Sequence, residues 1–132
     1  MTALAETQPT RNERMLALAA HALSFVEGGI LAPLLLYVFR DEAAKVMGQD
    51  AAVLDSRFVA FHSLQSLYFG LLNLGLFVVI GLPTCGWGLF ALVPLYLIFE
   101  IIACVRANDG EWYRLPLAGD WAARRHPPPP GR

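Results

Sequence analysis

The chain has 132 residues, of which 56% are hydrophobic and 16% charged, with a formal net charge of −1. Soluble domains carry about 25% charged residues, so this is not the composition of an ordinary soluble enzyme. With no basic surplus and no Lys/Arg cluster interleaved with aromatics, a nucleic-acid partner is excluded as well.

Residues 1–14 are polar, with Pro9 and mixed charge, and read as an N-terminal tail; Asn12 is a candidate helix cap, with Glu13 and Arg14 in the first turn. The apolar run that follows is too long for the core of a signal peptide, so it is expected to stay in the membrane. It gives a first span over about residues 16–39, roughly 36 Å of helix, long enough to cross with some tilt. Glu27-Gly28-Gly29 near its middle and Pro33 beyond predict a kink or local unwinding.

Residues 40–57 form a polar connection containing Arg40, Asp41, Glu42, Lys45, Asp50, Asp55 and Arg57. Its interleaved apolar residues predict short interfacial helices broken at Gly48. No Asp, Glu, Lys or Arg then occurs until Glu100. This stretch is long enough for two spans of roughly 20 residues each, placed at about 58–82 and 87–105. Pro83-Thr84-Cys85-Gly86 makes an uncharged turn between them. Arg106 marks the exit to the interface. Asn108-Asp109-Gly110 is a turn signal, and Trp112 and Tyr113 are expected as interfacial anchors. Residues 121–132, ending in four prolines near the terminus, are expected to be extended and disordered.

The chain thus reads as an all-α membrane protein, with a three-span membrane domain over residues 15–120 and short interfacial helices. The Lys/Arg bias gives the orientation. Arg40, Lys45 and Arg57 in the connection share a side with Arg106, Arg114, Arg124 and Arg125, against Arg11 and Arg14 at the other end. This predicts a C-terminus in the cytoplasm of a bacterium and an N-terminus outside. Cys85 and Cys104 lie near opposite ends of one helix, roughly 28 Å apart along its axis, too far for a disulfide.

Candidate functional residues are the polar ones inside the spans. His62, Gln65, Ser66 and Asn73 recur at helical spacing and form one stripe. Lipid cannot satisfy such groups, so the stripe faces either the chain's own helices, as interhelical hydrogen bonds, or a ligand, partner or proton path. Glu27 near mid-span requires protonation, a partner or a hydrated cavity. Glu100 and His62 are expected at similar depth, where they could pair as part of an ion network that fixes helix register. His21 is a weaker candidate. A haem held by His21 and His62 is excluded in this reading, because a first span that crosses the membrane puts His21 near its outer end and His62 near the inner end of the second, roughly 20 Å apart in depth. No Ser-His-Asp arrangement, HExxH or Cys/His zinc spacing is present, so no catalytic, metal or cofactor-binding residue is assigned.

Two groups of residues resemble known families. Arg57-Phe58-Val59-Ala60-Phe61-His62-Ser63-Leu64-Gln65-Ser66-Leu67 resembles the signature of the translocon-subunit family named for a small polytopic protein of the chloroplast inner-envelope Tic complex. The stretch from Ala103 to Pro116 resembles the ending of a related bacterial three-helix membrane domain of unknown function. So does the opening, with Glu13-Arg14, Ala20-His21-Ala22-Leu23-Ser24 and Ile30-Leu31-Ala32-Pro33-Leu34. The resemblance covers about residues 11–120. Leu115 departs from it, standing where an aromatic is usual, and Glu27 lies outside the pattern. It implies a membrane role, tied to protein import in the chloroplast members.

Three functions follow as expectations. The first is a non-enzymatic subunit or interaction partner of a larger membrane complex, with protein translocation or assembly as the role the resemblance implies, whose partners are the bilayer and other membrane subunits or further copies of itself. The second is a homo-oligomeric transporter or an ion- or proton-conducting protein with Glu27 on its path. The third, ranked last on the depth argument, is an electron-transfer subunit.

Overall fold

A computed structural model describes residues 8–39 and 56–130, together with positions 42, 45, 46 and 48. The interfacial helices expected over residues 40–57 fall largely outside the described residues. The elements in chain order are α1 (Arg11–Ala22), α2 (Ser24–Glu27), α3 (Leu31–Val38), α4 (Arg57–Leu76) continued by a π-helical turn (Phe77–Gly81), α5 (Leu89–Asn108) and α6 (Ala118–Arg125).

Helix α1 begins one residue before Asn12 because Thr10 caps it. The Thr10 hydroxyl accepts the Glu13 N–H, and the Glu13 carboxylate accepts the Thr10 N–H at 2.6 Å, a reciprocal capping box. Leu16, Ala17, Ala20 and His21 form its buried stripe, which packs against α4 and α5. Helix α2 continues inward and stops at Gly28 and Gly29, with φ of +83° and +86°. Two successive left-handed residues reverse the chain, and glycine takes that conformation without the Cβ penalty. The Glu27 carboxylate then accepts the N–H groups of Leu31 and Ala32, capping α3. Pro33 sits in the first turn of α3, where its missing N–H leaves no gap in the ladder.

The expected first span is therefore a re-entrant hairpin. Arg14 at its start donates to the Asn108 carbonyl at the end of α5 (3.4 Å). Its tip, Gly29, meets Gly70. Leu36 on α3 has returned to pack against Leu16, Ala20 and Val59. Both ends of the hairpin consequently lie beside the start of α4, and the N-terminal end of α1 shares a side with the end of α5. This corrects the sequence reading in two places. Among the described residues two helices, not three, are long and apolar enough to cross a membrane: Arg57–Gly81 and Leu89–Asn108. The start of the described chain lies at the same end as Asn108, not opposite it. Hydropathy does not separate these cases, because a hairpin dipping into the apolar layer and a single crossing are equally hydrophobic.

Helix α4 is wrapped along its first half and bare along its second. Phe58–Leu67, Phe69 and Gly70 are buried, whereas Leu71, Leu74 and Phe77–Ile80 are exposed. Ser56 caps it by accepting the Val59 N–H (3.1 Å). Only 11% of the apolar window of α5 is buried inside the protein. Phe90, Val93, Leu97, Ile101 and Val105 face outward along it, as lipid-facing residues do.

The chain turns at Gly110 (φ +80°) and runs back along α4. Trp112 meets the rings of Phe58 and Phe61 edge-on or tilted, with centroids 5.3 Å away in both cases. The Leu115 N–H donates to Gln65 Oε1 (3.1 Å), and its side chain joins Phe69, Ala103 and Ala118 in a buried cluster. A second reversal at Leu117 (φ +61°) starts α6. Ala122 of α6 packs against Phe61 and Leu64, and His126 reaches Tyr37 on α3 (3.1 Å). Residues 118–125 are thus a packed helix where the sequence suggests the start of a disordered tail at 121, and Trp112 is a packing residue more than an anchor.

Candidate functional site

Three ionisable side chains, each with no exposed surface, form a hydrogen-bonded line across the wrapped half of the molecule. Glu100 comes from α5, His21 from the end of α1 and His62 from the first half of α4. Glu100 Oε2 lies 2.7 Å from His21 Nδ1. His21 Nε2 lies 3.2 Å from His62 Nδ1, and His62 Nε2 lies 3.1 Å from the Glu111 carbonyl oxygen. The rings of His21 and His62 meet nearly at right angles, and Phe58 and Phe61 meet the His62 ring in the same edge-on manner.

The end of the line fixes the tautomers. A backbone carbonyl only accepts, so His62 Nε2 carries a proton and donates it. His62 is then left with Nδ1 as an acceptor, and His21 donates from Nε2. One proton remains, shared along the Glu100 Oε2–His21 Nδ1 contact. With the proton on Glu100 the pair is an acid and a neutral imidazole; with it on His21 the pair is a carboxylate and an imidazolium. Both arrangements keep every hydrogen bond in the line and both sum to zero charge. An isolated buried charge, which is costly in low dielectric, is avoided either way. Glu100 Oε1 has no hydrogen-bond partner.

Further polar residues pin the same elements together. Ser24 and Ser66 hydroxyls lie 2.7 Å apart, and both reach the Ala20 carbonyl. Tyr96 donates to the Ser24 carbonyl (3.3 Å) and stacks on Phe69. Of the stripe on α4, His62, Gln65 and Ser66 are buried and bonded to α1, α2 or the C-terminal segment. Asn73 is separate: its amide donates back to the Phe69 carbonyl (2.8 Å) and borders a lipid-side cleft. Glu27 does not join the buried line, since its carboxylate is committed to the α3 cap. Glu100 and His62 do lie at similar depth, but His21 stands between them, so they do not pair directly.

Sequence reasoning underrated His21 because it took the first span to cross the membrane. The structure overturns the depth separation of His21 and His62, whose ring centroids are 5.4 Å apart. The argument against a shared haem changes accordingly: directly hydrogen-bonded rings leave no gap for a porphyrin plane. Ser24 and the Glu111 carbonyl were the missed members. The buried stripe Leu16, Ala17, Ala20, His21, Ser24 was a usable signal, since it sets His21 and Ser24 on one face. Among the described residues no group of three His, Cys, Asp or Glu side chains could hold a metal ion; these three string out instead of converging.

Two cavities flank the site. One of about 460 Å³ opens at the charged end, lined by Arg14, Asp109, Glu111, Trp112 and Tyr113 among others. The other, of about 340 Å³, is a mostly apolar cleft lined by Glu27, Gly70, Asn73, Tyr96 and neighbouring apolar side chains.

Comparison with known proteins places the chain. A curated relative, a UPF0132 membrane protein of Methanocaldococcus jannaschii, is 36% identical over 69 residues, covering 51% of this chain and 49% of the relative. The chain therefore matches about half the length of that relative. No solved structure matches. These matches do not show the resemblance to the translocon-subunit family. Residues 12–122, which include both hairpins and the whole buried line, match the sequence profile of the magnetosome magnetite crystal formation protein family. The chain is a membrane protein and belongs to that family.

Proposed function

We propose that this chain is a non-enzymatic membrane subunit that assembles with other membrane proteins at one face of the bilayer. In the family context, it serves crystal formation through the assembly it joins and not by touching mineral. One observation carries this reading: the two ends of the molecule differ completely. Among residues 8–39 and 56–130 every Arg lies in the half away from the 82–88 turn, on α1, at the start of α4, at the end of α5, or on the C-terminal segment and α6. The turn side offers Thr84, Cys85 and backbone, with no charged residue from Phe58 to Phe99. The carboxylate that faces the cleft beside Phe77 and Leu89, Glu27, is taken up by the cap of α3.

The charged half presents a folded surface instead. Arg124 and Arg125 are exposed on α6, whose opposite face is packed on α4. The Lys/Arg bias assigns this half to the cytoplasm. The test is purification in mild detergent from native expression levels, followed by native mass spectrometry of the intact assembly. Defined partner subunits at fixed stoichiometry are expected, and loss of them on replacing Arg124 and Arg125 with Ala while the protein itself stays folded. A chain that runs alone, or an assembly indifferent to those substitutions, would refute the assignment of that surface.

A further inference from the structure

Building on the subunit reading, we propose that the cleft beside the hairpin tip docks a transmembrane helix of a partner subunit through a Lys or Arg that pairs with Glu27. The cleft, of about 340 Å³, is lined by the tip, by α4 from Gly70 to Phe77 and by α5 from Leu89 to Tyr96. Its apolar walls are partly open to the bilayer, with Leu74, Phe77 and Val93 exposed, and so are Val26 and Leu31 on either side of the tip. Glu27 is only partly buried there. Its Oε2 accepts the Leu31 N–H and its Oε1 accepts the Ala32 N–H (2.8 Å). Each oxygen is thus an acceptor, as in a carboxylate, which has about four lone-pair sites. The cap uses one on each oxygen and leaves the others for a donor from the cleft. The side-chain donors on the wall are already spent. Asn73 donates to the Phe69 carbonyl (2.8 Å), and Tyr96 donates to the Ser24 carbonyl (3.3 Å).

Charge complementarity selects the occupant. An acid at membrane depth calls for a partner, and among the described residues no basic side chain forms an ion pair with Glu27. Along the helices that meet the tip, the first basic residues are Arg57 before Gly70 and Arg106 after Tyr96, roughly 20 and 15 Å away by helical rise. In the other direction the 82–88 turn lies roughly 10–12 Å from Asn73 and Tyr96, so an ammonium headgroup at that surface stays about as far from the tip. Acyl chains would fit the apolar walls but bring no donor. A second copy brings none either, since residues 15–39 and 58–105 contain no Lys or Arg. A basic side chain on a foreign helix supplies the donor and the charge together, and each of the two ions removes the cost of burying the other alone.

The experiment measures energy transfer in phosphatidylcholine vesicles between the full chain, with a donor dye on the exposed Cys85, and synthetic transmembrane helices carrying an acceptor dye. The helices are about twenty Leu and Ala residues long and differ only at the central position, which is Lys, Leu or Glu. The Lys helix is expected to associate about tenfold more tightly than the Leu helix, and the Glu helix no better than the Leu helix. Glu27→Gln keeps an acceptor for the α3 cap and is expected to abolish the preference for Lys. Equal association of the Lys and Leu helices with the unsubstituted chain overturns the proposal without reference to any variant, and means that the cleft takes any apolar chain. A preference for Lys that survives in Glu27→Gln overturns it as well. Native mass spectrometry reads the subunit assignment separately: a defined assembly combined with no preference for Lys removes this contact and leaves the assignment standing.

Discussion

Gly29 and Gly70 touch backbone to backbone. A Cβ on Gly70 would fall inside the Gly29 carbonyl group, and one on Gly29 would lie 2.8 Å from the Tyr96 hydroxyl and 3.2 Å from Gly70 Cα. This contact seats the tip of the re-entrant hairpin on α4, and so sets the depth at which His21 meets His62. Gly70→Ala is expected to push the tip away and destabilise the protein by about 1–3 kcal/mol, the usual cost of overpacking. Gly75→Ala, with nothing within 4 Å of the new Cβ, is the control and is expected to be neutral or mildly stabilising. Thermal midpoints in one detergent compare the two; equal shifts would remove the contact's importance.

The re-entrant hairpin predicts a labelling pattern. Cys85 in the 82–88 turn is exposed and serves as an internal reference. Cysteines introduced as Arg11→Cys and Arg125→Cys are expected to react with an impermeant maleimide from one and the same side of a sealed vesicle, with Cys85 reacting from the other. A straight first span would put the Arg11→Cys label on the Cys85 side.

Glu27 acts in the fold as a helix cap. Glu27→Ala is expected to cost about 1 kcal/mol, as loss of a capping acceptor does. Glu27→Gln, which keeps one acceptor oxygen, is expected to cost less. Denaturant titration of both variants reads the difference. A Gln variant as unstable as the Ala variant would show that charge, not hydrogen bonding, holds the turn.

Gln65 ties the C-terminal segment to α4 through the Leu115 N–H. Gln65→Leu fills similar volume but leaves that buried donor without an acceptor, at a cost of about 1–3 kcal/mol. Cleavage within residues 111–125 by limited proteolysis is expected to accelerate, with the α4–α5 hairpin staying intact. Uniform acceleration along the chain would mean that Gln65 supports the whole bundle instead.

The parts of this architecture written in local pattern were legible from sequence. The charge-free stretch after Arg57 marked α4 and α5, Pro83 and Gly86 marked the turn, and the spacing of His62, Gln65 and Ser66 marked a shared face. What escaped was decided by tertiary direction. The run from Leu16 to Phe39 is apolar whether it crosses or turns back, and the reversal depends on two consecutive left-handed glycines with a carboxylate poised to cap the next helix. Glu27-Gly28-Gly29 was visible, but reads equally as a kink. Once the direction of α3 was wrong, His21 and His62 were necessarily placed apart. The C-terminal return was hidden for a different reason: Leu115 and Ala118 carry no periodic signal and are ordered by Gln65 and Phe69, about fifty residues away in sequence.

Two full crossings, with the first hairpin returning to its side of origin, also bear on how the chain enters a bilayer. An even number of crossings leaves the two ends of the described chain in one compartment. Among the described residues, the stretch that must be carried through the apolar layer is the one connecting α4 to α5, and it bears no charged side chain. Translocating an ionised residue costs a few kcal/mol or more, and none is translocated here. Insertion can therefore proceed as one helical pair pushed in from a single side, with the α1–α3 hairpin and the C-terminal return folding onto it afterwards from the side where synthesis began.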